Sequence, residues 1–286
     1  MTTYLTYLHL LTALHTGGSA DEGNLMGIAR EVHTEFPYLP SSSVRGKIRS
    51  ELEQETGAGI FFGQKIQGGQ QPTEGEVWFA DAALLFFPIA SLSHHLLWIT
   101  CPLWLERWQR WLDSTDLQAL IQQCRETLSE EKPAVVSFTP EALYLQTAIL
   151  KQKDLVQLNN TDALTQIITP LTANSGLLKQ LPKKLVIISD EDCLALVETG
   201  LQREVRVALK EEEKMVKDGS FRSEEAIPPE TILFFPWGMK PSKQSEVTQE
   251  VRQKLLTLLK GRLQFGGLEG LGRGWTNLTT KENSSS

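Results

Sequence analysis

A basic segment that follows a run of serines could bind phosphate. The serines Ser41–Ser43 come directly after Pro40, and Arg45, Lys47 and Arg49 follow within about two helical turns. Apolar residues recur every four positions here, which predicts a helix from the serines to about residue 54. A serine hydroxyl can cap such a helix, and its free N–H groups and dipole favour an anion. The alternative is an ordinary solvated helix start.

A glycine-rich segment near the end of the chain is a second candidate for anion binding. Residues Gly266–Gly274, which we call the glycine loop, contain five glycines and Arg273. Glycine lets another chain approach the backbone closely and exposes N–H groups. A strand-like segment follows the loop, whereas nucleotide phosphate sites of the Rossmann and Walker types require a helix there. The pattern therefore excludes dinucleotide and ATP binding.

Few residues suit proton transfer or metal binding. His15, His33 and Asp21 could act as acid or base, and all three lie in or near segments without a regular pattern. The acids Asp190–Asp192 form a compact group, but acids are favoured in a first helical turn by the dipole. We therefore interpret that group as a helix start and expect no metal site there.

Composition indicates an ordinary globular protein. The 286 residues are 41% hydrophobic and 22% charged, with a net charge of −7. This excludes a uniformly basic surface, but a local basic groove remains possible because salt screens charges beyond about 10 Å. Three widely spaced cysteines predict buried residues in a reducing compartment. No signal peptide or membrane-spanning run is visible, so we expect a soluble, cytoplasmic protein.

The order of the elements predicts the fold class. A first strand over residues 3–11 precedes the basic helix, several strands follow, and a late strand, helix and strand close the chain. This order predicts an α+β fold with a ferredoxin-like (RRM-like) core in a single domain over residues 1–286. Residues 56–75, which look like an irregular loop, and residues 129–174, which look like decoration of the core, are predicted insertions.

Two further patterns could reach a partner. Residues 205–229 predict a projecting β-hairpin, because a charged stretch with a Lys-Asp-Gly turn signal separates two strands. Its apolar residues near the tip, Met215, Val216 and Phe221, would be exposed and so suit an interaction. A stripe of tryptophans including Trp104 and Trp108 could stack bases, but its helical spacing favours a core position.

Several motifs together resemble a known family. The glycine loop is similar to that of the RAMP superfamily of CRISPR proteins. The full set resembles the backbone subunits of type III-B (Cmr) effector complexes from Tyr4 to Trp275. The other matching segments are His15–Gly17, Arg30–Pro37, Ser43–Gly46, Leu84–Pro88 and Trp98–Pro102.

The resemblance implies an RNA-binding filament subunit in antiviral defence. Such subunits polymerise head-to-tail along CRISPR RNA, contact other Cmr subunits, and kink the duplex of guide and complementary target RNA with a thumb. Here the thumb would be the hairpin over residues 205–229. No membrane partner is implied. The residues that would contact RNA are His15, Arg30, Ser43, Arg45, Lys47, Arg49, Gly266, Gly267 and Arg273.

The resemblance departs from its pattern at one catalytic position. Members that cut target RNA carry an aspartate that supports attack of the ribose 2′-hydroxyl, through acid–base action or a divalent ion. Ungapped alignment on the Arg30–Thr34 motif puts Leu25 there, and leucine can neither move a proton nor bind Mg²⁺ or Mn²⁺. Asp21 and Glu22 lie several residues early. We therefore predict weak or absent cleavage, with Asp21 as the substitute catalyst if cleavage occurs.

Two other classes stay open. The chain could be a stand-alone endoribonuclease that processes CRISPR transcripts, with His15 and His33 as acid and base. It could instead be a protein-only assembly module whose basic helix is merely solvated.

Overall fold

The computed structural model describes residues 2–18, 21–22, 25–55, 58–63, 74–172, 174–206, 221–240 and 246–283. The strands are β1 (Thr3–Leu10), β2 (Asp21–Glu22), β3 (Leu25–Met26), β4 (Val77–Phe79), β5 (Ala83–Ser91), β6 (His95–Thr100), β7 (Ala134–Val136), β8 (Ala142–Tyr144), β9 (Ile149–Lys151), β10 (Leu155–Gln157), β11 (Leu185–Ile188), β12 (Gln202–Arg206), β13 (Arg222–Ala226), β14 (Ile232–Met239), β15 (Arg262–Gln264) and β16 (Trp275–Asn283). The α-helices are α1 (Ser41–Leu52), α2 (Ala58–Phe62), α3 (Pro102–Leu112), α4 (Thr115–Thr127), α5 (Thr161–Ile168), α6 (Ser175–Gln180), α7 (Asp190–Gly200) and α8 (Glu246–Leu258).

Strand β1 lies inside a large mixed sheet. Its neighbours are β14 and β16, and both pairings are antiparallel. Over the described residues the sheet runs β10-β7-β11-β6-β5-β14-β1-β16-β15, and β4 also pairs with β14. Successive side chains of a strand point to opposite faces, so Tyr4 and Leu8 join one hydrophobic cluster while Leu5 and Tyr7 join another. Seven of the eight residues of β1 are buried because both faces are covered.

The two clusters lie under different helices. Helices α1, α7 and α8 bury residues in one cluster. Helices α4 and α5 bury residues in the other, and α3 contributes Trp104 to the first and Trp108 to the second. Both indoles are almost fully buried, so the prediction that the tryptophan stripe belongs to the core is confirmed.

A second, smaller sheet lies beside the main one. Its described strands follow the order β12-β13-β3-β2, and we call it the thumb-base sheet. Strands β12 and β13 form an antiparallel pair, as the hairpin prediction requires, from Gln202 opposite Ala226 to Arg206 opposite Arg222. Strand β3 adds in parallel to β13. Residues Met215 and Val216 of the predicted tip lie outside the described residues.

Most predicted elements are confirmed, and two interpretations need correction. Residues 58–62 form α2, whose Phe61 and Phe62 are buried, so the prediction of an irregular loop over 56–75 is wrong there. Residues 129–174 do not only decorate the core, because β7 and β10 are strands of the main sheet. Neither element was predictable from periodicity, because both are too short to show a repeat. Helix α2 is little more than one turn, and β7 is three buried residues.

The cysteines are buried, as the sequence predicts. All three are free thiols, and burial raises the pKa of Cys124 to about 12. Among the helices that the structure describes, none is long and apolar enough to cross a membrane.

Candidate nucleic-acid interface

The first turn of α1 is capped differently from the prediction. Pro40 is the N-cap residue, and no side chain of the helix caps it, so the expected serine cap is wrong. The N–H of Ser41 donates instead to Asp81 Oδ1 at 2.6 Å. Asp81 comes from a segment 40 residues away, which no local pattern could reveal. One backbone N–H at this helix start is therefore already bonded to a carboxylate. Ser43, in the same turn, is partly exposed.

The two arginines of α1 bind backbone carbonyl groups. Arg45 donates to the oxygens of Val77 and Phe62 at 2.9 Å each. Arg49 donates to the oxygens of Gly63, at 3.1 Å, and Phe62. Burial, with the neighbouring Arg49 charge, lowers the pKa of Arg45. These contacts satisfy carbonyl groups at the end of α2 and at the start of β4. They leave further N–H donors on each guanidinium.

Lys47 links α1 to the glycine loop. Its Nζ lies 2.9 Å from Glu51 on the same helix and 3.6 Å from Glu269 in the loop. Burial alone would lower the pKa of Lys47, but the two carboxylates raise it overall. The basic helix and the glycine loop, more than 200 residues apart in sequence, are thus neighbours. The contact brings together two of the segments that the resemblance assigns to RNA binding.

The glycine loop packs directly on the segment that carries His15. The N–H of Gly267 donates to the oxygen of His15 at 2.8 Å. Gly266 has a φ of 81°, and a Cβ there would lie 2.3 Å from that same oxygen. Only glycine fits so close an approach. Gly274 closes the loop at φ 78° and donates its N–H to Ala13.

His15 is held by the thumb-base sheet. Its Nδ1 lies 2.8 Å from the oxygen of Glu225. A carbonyl can only accept a hydrogen bond, so Nδ1 must donate, which leaves Nε2 as the acceptor in the neutral ring. His15 is buried, whereas His33 lies exposed on a turn. The backbone of β13 therefore fixes the His15 ring, whereas the His33 side chain faces solvent.

The remaining predicted arginines bind carboxylates of the thumb-base sheet. Arg273 is only 8% exposed, and its Nη2 lies 2.7 Å from Glu204 Oε2 and 3.9 Å from Glu224. Arg30 donates to Glu225 at 3.0 Å and also to Glu198. Each guanidinium therefore faces two carboxylates.

Two adjacent glutamates of β13 organise these contacts. Glu224 and Glu225 are both buried, which is rare for unpaired acids. Arg203 reaches Glu225 at 3.1 Å, and Arg206 Nε approaches Glu224 at 3.0 Å. Four arginines from three separate segments thus meet two consecutive residues of one strand. Sequence reasoning missed both acids, because two glutamates in a short strand look like a solvated edge.

The candidate catalytic segment is part of the same sheet. Asp21 lies opposite Met26 in the β2–β3 pair, and Leu25 lies opposite Ser223 of β13. The backbone that carries Asp21 is therefore fixed beside the foot of the hairpin. Phe221, at that foot, is 52% exposed, as predicted. Among the described residues no group of three His, Cys, Asp or Glu could hold a metal ion, and Leu25 offers no ligand atom.

A family model and two curated relatives match almost the whole chain. The model of the RAMP superfamily matches residues 7–277. A protein of Pyrococcus furiosus described as the CRISPR system Cmr endoribonuclease Cmr4 is 28% identical over 99% of this chain and 97% of its own length. A CMR subunit Cmr4 of Saccharolobus solfataricus is 24% identical over 95% of this chain and 94% of its own.

Solved structures have the same fold. The oligomeric Cmr4 crystal structure from Pyrococcus furiosus covers 100% of both chains, with a TM-score of 0.69 and 22% identity. A chain in the cryo-EM structure of a type III-B Cmr-beta complex bound to cognate target RNA has a TM-score of 0.74 and 20% identity. That match covers 97% of this chain and 96% of the other.

Proposed function

Because this chain belongs to the RAMP superfamily, we propose that it is the CRISPR RNA-binding backbone subunit of a type III-B Cmr effector complex in the cytoplasm. The observation that carries the proposal is likeness over whole chains. The Cmr4 relative matches end to end, and the chain with the highest TM-score among those described above is part of a Cmr complex bound to target RNA.

We assign the centre of the main sheet to a ferredoxin-like core. Strands β1, β5, β14 and β16 are joined through α1 and α8, and their spatial order is β5-β14-β1-β16 with antiparallel neighbours. In chain order this is 2-3-1-4, which a βαββαβ unit requires. The remaining elements are then additions to that unit, within a single domain.

The guide RNA would be gripped where α1, the His15 segment and the glycine loop meet. Lys47 near Glu269 and Gly267 on His15 bring these three elements together. Arg45 and Arg49 would contact phosphates with donors left over from their carbonyl contacts, beside Ser43. Gly266 and Gly267 would let the guide backbone approach closely. Arg30 and Arg273 would fix the position of the thumb more than they bind phosphate, because carboxylates already neutralise them.

The hairpin over residues 205–229 would act as a thumb that kinks the guide–target duplex. Its described foot is anchored by buried ion pairs and ends in exposed Phe221. Copies would join head-to-tail, because a heterologous interface that does not close produces an open filament. Sequence specificity would come from base pairing between guide and target. Other Cmr subunits would be further partners of the filament.

We infer that target cleavage by this subunit is weak or absent. Leu25 stands where the resemblance places the catalytic aspartate, and its backbone is paired to Ser223. The described residues do not fit a metal-dependent site, so we derive no step through Mg²⁺ or Mn²⁺. The name of the Pyrococcus relative keeps a second candidate open, in which Asp21 takes the catalytic role.

Electron microscopy of the protein purified with co-expressed CRISPR RNA tests the main proposal. We expect RNA-containing helical filaments whose length follows the RNA. Purified protein that cuts repeat RNA as a monomer would instead favour a processing endonuclease. Assembly without salt-sensitive RNA binding would favour a protein-only module.

Cleavage of complementary RNA by the assembled complex tests the catalytic inference. We expect little cutting by the unchanged protein, with and without Asp21→Ala. Strong cutting that Asp21→Ala abolishes would overturn the inference and assign Asp21 as the catalyst. Strong cutting that survives the substitution would exclude Asp21 and place the catalyst elsewhere.

A further inference from the structure

One face of β15 and β16 carries exposed and half-buried side chains beyond the glycine loop. The antiparallel register sets Arg262 opposite Asn277 and Gln264 opposite Trp275. These four residues and Thr279 share one face, because side chains alternate along a strand. The intervening residues are buried on the other face: Leu263, Thr276 and Leu278. We call these five residues of the first face, together with Lys260, the β15–β16 strip.

An open cleft adjoins this strip. Its volume is about 650 Å³, which falls in the range of ligand sites. It contains two exposed cations, two amides and two threonines: Lys260, Arg262, Asn174, Asn277, Thr172 and Thr279. Within the described part of the chain, no residue that lines it carries a carboxylate. The cleft is therefore locally positive on a chain of net charge −7, which favours an anionic ligand.

Trp275 is the aromatic residue of the strip and lies at the end nearest the glycine loop. It is 38% exposed, whereas Trp104, Trp108 and Trp237 are almost fully buried. Trp275 belongs to neither of the two hydrophobic clusters, so core packing does not explain its position. An aromatic ring next to a positive groove is the arrangement with which proteins bind single-stranded nucleic acid, because bases stack on the ring while cations contact phosphates.

We propose that the β15–β16 strip binds single-stranded RNA. A base stacks on Trp275, phosphates lie against Lys260 and Arg262, and the Asn277 amide faces a base edge. Arg262 Nε already donates to Asn277 Oδ1 at 3.2 Å, which orients both side chains. An acidic protein segment would pair with the cations, but it would offer no base to stack on the indole or to hydrogen-bond the amides.

Continuity with the glycine loop identifies the RNA strand. Trp275 follows Gly274 directly, so a strand that leaves the glycine loop reaches the indole next. The inference rests on the proposed function, since it extends the guide path from the loop onto the sheet. It adds a second contact region on a face other than the one that α1 and α8 cover.

Binding of a fluorescent oligouridine hexamer to the purified full chain tests the strip. Stacking contributes enough that Trp275→Ala should weaken binding about tenfold, while Trp275→Phe should stay within about threefold. Arg262→Ala should lower the slope of log affinity against log salt by about 0.7, as expected for one lost phosphate contact. Leu92→Ala, at the exposed β5–β6 turn, is the matched control and should change neither quantity.

Cross-linking adds a readout that a merely structural role would not change. Ultraviolet irradiation of the complex with its co-expressed RNA should attach nucleotides to the peptide that contains Trp275. If Trp275→Ala binds the hexamer with unchanged affinity while the unaltered protein still forms RNA filaments, RNA binding by the strip is overturned. The proposed function is not affected by that result. Loss of self-association with unchanged RNA affinity also overturns RNA binding by the strip, in favour of a protein partner. An unaltered protein that binds no RNA overturns both proposals.

Discussion

Helix α1 and the thumb-base sheet hold their arginines in opposite ways. On α1, Arg45 and Arg49 donate to neutral carbonyl oxygens. Beside the thumb-base sheet, Arg30 and Arg273 each face two carboxylates. A carbonyl orients a guanidinium without cancelling its charge, whereas two carboxylates cancel it. The same residue type therefore supplies an attractive field for phosphate in one region and rigidity in the other.

The largest expected effect separates the two regions by stability. Glu225→Ala removes the buried acid that Arg30 and Arg203 share, and should lower the free energy of unfolding by roughly 3 kcal/mol. Glu51→Ala removes a partly exposed partner of Lys47 on α1 and should cost below about 1 kcal/mol. Urea unfolding of both variants measures the difference. Equal costs would contradict the distinction between a rigid sheet and a solvated helix.

The glycine loop that joins the two regions should tolerate substitution at one glycine and not at another. Gly266→Ala forces a positive φ on alanine and brings Cβ against the His15 oxygen, so we expect a loss of about 2 kcal/mol. Gly270→Ala enters open space and should stay within about 0.5 kcal/mol. Thermal unfolding compares them. A neutral Gly266→Ala would show that the loop does not depend on this contact.

RNA affinity should distinguish arginines bound to neutral carbonyl groups from arginines paired with carboxylates. Arg45→Gln should weaken guide binding about tenfold and flatten its salt dependence, because a phosphate contact is lost. Arg203→Gln removes an arginine that is 56% exposed but bound to carboxylates, and should change affinity little. Anisotropy titrations over a range of salt concentrations measure both. Similar losses would mean that phosphates displace the carboxylates.

The smallest expected effect is a change in acid sensitivity. The hydrogen bond from Arg273 lowers the pKa of Glu204 below its ordinary value of 4.5. A depressed folded-state pKa stabilises the protein above that ordinary value, and the contribution is lost as pH falls through the folded-state pKa. Glu204→Gln should therefore flatten stability against pH on the acid side only. An unchanged acid-side slope in unfolding titrations would place the coupling elsewhere.

Local patterns predicted what local physics decides. The strands, the amphipathic helices and the Ser189 cap on Asp192 follow from spacing and residue type within short windows. The cap of α1 did not, because Asp81 displaces the nearby serines across 40 residues. Glu225 meets Arg30 across 195 residues, a pairing that no window reveals. The elements that meet at the candidate interface were predictable from motifs, but the carboxylates that neutralise half of its arginines were not.

The position of β1 has a consequence for how the protein is made. Its two neighbours, β14 and β16, begin more than 200 residues later. During translation, β1 therefore emerges from the ribosome long before β14 and β16 have been synthesised. The large sequence separation between the paired strands also slows folding. Until translation is almost complete, β1 has no pairing strand and its backbone edges are open to aggregation. A chain that ends before β16 therefore leaves one side of β1 without its pairing strand.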